Sequence, residues 1–81
     1  MSSDPCYLFG LRLSEVRKSK GWSQERLATE SGLARSYVGG VERGQRNIAL
    51  RNIFKLAGAL GMSPGGLMEL PESAGGVRKY G

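Results

Sequence analysis

Residues 33–47 read LARSYVGGVERGQRN, and how this stretch is read decides the fold. On a helical wheel turning about 100° per residue, Val38 and Val41 fall on one side. Arg35, Ser36, Gly39 and Gly40 fall on the other. Two adjacent glycines inside a helix cost about 1 kcal/mol each relative to alanine, so their presence asks for a reason. In one reading, tertiary packing fixes a short helix and the glycines have no further role. In the other, one face is stripped of side chains so that a surface can approach the backbone. The second reading suits a helix entering the major groove of DNA, with Arg35 reaching base edges from its N-terminal end.

Just upstream, WSQERLATESG (residues 22–32) predicts a helix of about two turns, with Ser23 as N-cap and Gly32 as the stop. Trp22 stands where it can staple onto Leu27. Two helices joined by a tight glycine turn form a helix-turn-helix, though an ordinary small helical bundle shares the pattern. Leu27, Leu33, Val38 and Val41 supply its apolar contacts, and Ala28 is small where the two helices would cross.

The flanks extend the same periodicity. Asp4-Pro5 opens a first helix reaching Lys20, with Phe9, Leu13 and Val16 on its apolar stripe and Gly21 ending it. RGQRNI (43–48) is a basic loop. LRNIFKLAGALG (50–61) predicts a fourth helix whose apolar residues are Leu50, Ile53, Phe54, Ala57 and Leu60. SPGGLMELP (63–71) predicts a weak fifth, with Ser63 as N-cap and two glycines in its first turn. No stretch alternates as a strand does. The expectation is an all-α, compact five-helix bundle over residues 1–71, followed by a flexible tail over 72–81 that Val77 or Tyr80 can tie down.

Composition narrows the function. The 81 residues hold no histidine and one cysteine, Cys6, which excludes an internal disulfide and a Cys/His zinc site. Ser14 and Lys18 lie one helical turn apart but have no acid–base partner, so the chain reads as no enzyme, with no cofactor and no metal. Neither a signal peptide nor an apolar run of membrane-spanning length is visible, which predicts a cytoplasmic protein without membrane contact. Twelve Lys and Arg against seven Asp and Glu give a net charge of +5. Between Arg35 and Lys55 five basic residues face one acid, Glu42, as a phosphate-facing surface requires.

The run SQERLATESGLARSYVGGVERGQRNIALRNIFKLAGALGMSP carries a resemblance. Residues 10–70 resemble the Cro/phage-repressor-like (XRE-type) helix-turn-helix family, whose domains are lambda-repressor-like. RSYVGGVERGQRN is similar to the restriction–modification controllers within it. The resemblance implies a sequence-specific regulator that binds a palindromic operator in double-stranded DNA as a homodimer. The alternative is an antitoxin-type protein that binds a partner protein. It also implies roles for particular residues. Arg35 and Ser36 match base-reading positions, with Gly39 and Gly40 on the same groove-facing side; Gly40 stands where phage repressors carry a glutamine. Gln24, Tyr37, Arg43, Arg46 and Asn47 match phosphate-binding positions, and Tyr37 suits a core edge equally well. Arg17 and Glu42 match an ion pair joining the first and third helices. Leu60, Met62, Leu67, Met68 and Leu70 are the candidate dimer surface, shared with the core. Glu25, with Glu30 beside it, matches an acidic patch that meets the RNA polymerase sigma subunit. Ala34 and Ala49 depart from the pattern, standing where a capping side chain is usual, and Gly66 replaces an acidic residue.

Overall fold

A computed structural model of the chain describes residues 4–72. The expected tail, with Val77 and Tyr80, lies outside the described residues from position 73 onward. Five helices follow in order: α1 (Pro5–Ser19), α2 (Gln24–Ser31), α3 (Arg35–Glu42), α4 (Leu50–Leu60) and α5 (Pro64–Leu67). The described residues form no strand. The all-helical expectation holds.

The helix starts divide by chemistry. Asp4 accepts from the Cys6 amide, Ser23 from the Arg26 amide and Ser63 from the Gly66 amide, so α1, α2 and α5 are capped. Ala34 and Ala49 have no side-chain oxygen, and α3 and α4 begin without one. α5 is shorter than expected, a single turn of four residues, because glycines occupy its second and third positions.

The turn between α2 and α3 needs Gly32. Its φ of +76° lets the Leu33 amide reach back to the Ala28 carbonyl at 3.1 Å, and α3 restarts two residues later. Gly44 does the same after α3, at φ +76°. The Gln45 amide bonds the Gly40 carbonyl at 2.9 Å and the Gly44 amide bonds that of Val41 at 3.0 Å.

Phe9 and Leu13 from α1, Leu27 and Ala28 from α2, Val38 and Val41 from α3, and Ile53, Leu56, Ala57 and Leu60 from α4 make one core, closed by Leu67. The fourth helix is rotated from its expected setting. Leu56 is fully buried, whereas Leu50 is 68% and Phe54 58% exposed. Leu60 and Leu67, expected in part at a dimer surface, are core residues at 4% and 0% exposure. Met62 packs half-buried against that core, Leu70 is half-buried and Met68 is exposed. A domain this small needs its last leucines to close its own interior, which leaves other apolar residues outside.

Among the described glycines the closest approach to another element is at Gly10. A β-carbon there would collide with the Val41 carbonyl oxygen and lie 2.6 Å from that of Glu42. Both are backbone atoms that cannot swing away. Gly10→Ala is therefore expected to destabilise the fold by about 1–3 kcal/mol through overpacking. Gly58 in α4 has open space around it, and Gly58→Ala should add about 0.5–1 kcal/mol. Urea titration of the two variants checks the opposite signs.

Candidate nucleic-acid interface

Besides the Gly32 turn and the shared core, a polar node joins α2 and α3. Arg17, on the last turn of α1, donates from Nε to Glu42 Oε2 at 2.7 Å and from Nη2 to Glu42 Oε1 at 3.0 Å. Its remaining Nη1 donates to the Trp22 carbonyl at 2.8 Å, just before α2 begins. Gln24 Nε2 donates to Glu42 Oε1 at 2.8 Å. The two charged side chains are 10% and 6% exposed. A paired fork of this kind fixes direction as well as distance. The Arg17 guanidinium is held above its ordinary range, chiefly by its hydrogen bonding to Glu42; burial pulls it down and the carboxylate charge pulls it up again. The expected ion pair is present. It is buried.

Around this node the expected DNA-contacting residues gather on the α2–α3 side of the molecule. Arg35 and Ser36 are exposed at the start of α3. Their first-turn amides lack a capping side chain, so the positive end of the helix dipole faces outward beside them. Tyr37 is half-buried against the core edge, and its hydroxyl accepts from Asn52 Nδ2 at 3.0 Å. The phenolic proton is not used in that bond and stays available to an acceptor. Arg43, Arg46 and Asn47 are exposed around the Gly44 turn. Gln24 is half-buried and spends one N–H on Glu42, which leaves a second for a phosphate oxygen.

Gly39 and Gly40 differ from expectation. Both are buried, so α3 does not present bare backbone to solvent. Arg43 Nη1 lies 3.1 Å from where a β-carbon on Gly39 would stand, and Arg46 Cγ lies 3.2 Å from that position on Gly40. A wheel treats each position separately, but helical side chains lean toward the N-terminus and cover residues before them.

At the far edge of α2, Glu25 is exposed and Glu30 pairs with Arg26 at 3.1 Å. Arg26 and Lys20 both lie over the Trp22 ring, at 4.6 and 5.5 Å from its centroid. Among the described residues no cluster of acidic or cysteine side chains has the makings of a metal site. No described helix is long and apolar enough to cross a membrane.

A helix-turn-helix family model matches residues 13–67, which span the node and both helices of the motif. The chain belongs to the XRE-type helix-turn-helix family. Within this family it is 43% identical over 70 residues to control protein C.BamHI of Bacillus amyloliquefaciens, covering 85% of this chain and 86% of that one. It also matches the crystal structure of the restriction–modification controller C.AhdI from Aeromonas hydrophila. There the identity is 63% and the TM-score 0.75, over 76% of this chain and 94% of that one. The controller C.Esp1396I, solved as a tetramer with its natural 35 base-pair operator, superposes with a TM-score of 0.75 at 29% identity over 82% and 87% of the two chains.

Two residues outside α2 and α3 hold the helix-turn-helix in ways their spacing does not reveal. Asn52 looked like one more polar position of α4, and nothing in its spacing links it to Tyr37 fifteen residues earlier. The Trp22 ring suits an apolar staple, while its carbonyl accepts the third hydrogen bond of Arg17.

Removing one partner from the Arg17–Glu42 pair strands a buried charge. Arg17→Met and Glu42→Gln are each expected to cost about 3–5 kcal/mol, whereas the double variant should cost less than their sum. Because the Arg17 guanidinium is raised in the folded state, its contribution is complete below its ordinary unfolded range and is lost only as pH rises through its folded value. Chemical denaturation between neutral pH and pH 10 should therefore show no loss of stability from Arg17.

Proposed function

We propose that this chain is a sequence-specific DNA-binding transcription regulator, a restriction–modification controller that binds a palindromic operator as a homodimer. The observation that carries this reading is the exposed pair Arg35 and Ser36 at the uncapped start of α3, flanked by Arg43, Arg46 and Asn47. A helix entering a major groove leads with such an end. The likeness to controllers, one of them solved on its operator, supports it. Chemistry on a substrate has no support among these residues.

The two arginines have different tasks. Arg35 projects from the first turn and can offer its fork to guanine O6 and N7. Arg46 lies in the loop after α3, where its partner is a phosphate. Of the expected dimer surface the core takes Leu60 and Leu67 and leaves Met62, Met68 and Leu70 partly or wholly exposed, and to these the reading adds α4. Leu50 and Phe54 stand one turn apart on it, both exposed. A symmetric contact there would set two α3 helices about 34 Å apart, one turn of DNA. Exposure alone supports the expected contact of Glu25 with a sigma subunit, and the reading does not depend on it.

Selection from random duplex DNA is expected to return a palindromic consensus; no enrichment would sink the reading. On the selected site Arg35→Ala should cost about 1–3 kcal/mol, with little effect on random DNA. Arg46→Ala should weaken both and lower the salt slope by about one. Phe54→Asp should weaken self-association about 30-fold or more while leaving the helical spectrum intact, as sedimentation and circular dichroism will show.

A further inference from the structure

The two glycines of α3 are buried, yet the atoms nearest to a side chain at either position do not belong to the core. Next to Gly39 they are Arg43 Nη1 and, at 3.5 Å, Gln24 Oε1. Next to Gly40 they are three successive atoms of Arg46: Cγ at 3.2 Å, Nε at 3.4 Å and Cδ at 3.9 Å. The Arg46 guanidinium then continues to the Tyr37 ring, with Cζ 5.6 Å from its centroid. Arg46 therefore runs backwards along the recognition helix, its stem across Gly40 and its charge over a residue on the first turn. Arg43 is four residues after Gly39 and leans over it in the direction that helical side chains take. Its Nε is steadied by Gln45 Oε1 at 3.2 Å.

We infer that Gly39 and Gly40 position Arg43 and Arg46, serving as a seat that lets both side chains lie across α3 and carry their charge toward its N-terminal half, where they meet DNA. Position 35 already supplies one guanidinium at that end; the seat brings the Arg46 charge to the first turn and holds that of Arg43 over the middle of the helix. Such crowding of cations on one short helix favours a polyanion. The nearby carboxylate cannot relieve it, because Glu42 is committed to Arg17 and Gln24. A β-carbon would disturb the two arginines unequally. At position 39 it meets the far end of Arg43, which can swing aside. At position 40 it meets the stem of Arg46, which displaces everything beyond it. Gly40 is the more sensitive of the two.

The inference rests on the DNA-binding reading, and a double-mutant cycle separates it from close approach of DNA to bare glycine backbone. Affinity for the selected operator is measured at one salt concentration for the wild-type chain, Gly40→Ala, Arg46→Ala and the double variant. If the glycine acts through the arginine, Gly40→Ala loses about tenfold alone and nothing further in the Arg46→Ala background. Gly39→Ala should lose about threefold, again only while Arg43 is present. Melting temperatures of both glycine variants should equal or exceed the wild-type value, since alanine is the better helix former. Equal losses with and without the arginine, or no loss at all, would overturn the seat. The free protein gives a readout that needs no DNA. The Nε–H resonance of Arg46 should shift in Gly40→Ala and that of Arg43 in Gly39→Ala. Should selection return no preferred duplex, the functional reading fails and these spectra alone decide the seat, an unchanged Arg46 signal overturning it.

Discussion

The carboxylate of Glu42 receives Arg17 from α1 and Gln24 from α2 while standing on the last turn of α3, so three helices meet at two oxygen atoms. Few apolar contacts define direction as closely, because dispersion and hydrophobic burial tolerate sliding and a forked hydrogen bond does not. The pair need not add much net stability, since removing two charges from water offsets most of their attraction. What it contributes is orientation. With Glu42 held, the end of α3 cannot turn about its own axis, and Val38 and Val41 stay in the core while Arg35 and Ser36 stay outside. Gly10 makes this possible by letting α1 pass against the carbonyls of Val41 and Glu42.

Elements were legible in the sequence wherever a single residue type has a local consequence. Pro5, Ser23, Ser63 and the glycines at 21, 32, 44 and 61 act through neighbouring backbone, and the helix boundaries they imply agree with the structure to within a residue or two. Ala34 and Ala49 were legible for the same reason, as starts without a cap. The Arg17–Glu42 pair spans 25 residues and came only from the family resemblance, because spacing alone gives no reason to join them.

Assignments that depend on how elements turn against one another were not legible. The apolar residues of α4 span well over a third of its circumference, and a wheel cannot say which part of that arc faces inward. The helical spacing that joins Leu50 and Phe54 to Ile53, Ala57 and Leu60 includes two residues that lie outside the core and omits Leu56, which is wholly buried. Gly39 and Gly40 were misjudged in a related way. Their cover comes from side chains rooted at positions 43 and 46, and the second of these is beyond the helix altogether.

The missing cap on α3 would tie the stability of that helix to whatever binds its start. The Arg35, Ser36 and Tyr37 amides have no carbonyl behind them and no side-chain oxygen in front. A first turn left this way is the least secured part of a helix and opens at the lowest free energy. An anion seated against these amides would close that opening, so part of its affinity would appear as added stability of the helix it touches. A serine or aspartate at position 34 would secure the turn permanently and leave less for a ligand to contribute. Alanine keeps that stabilisation in reserve until something negatively charged arrives.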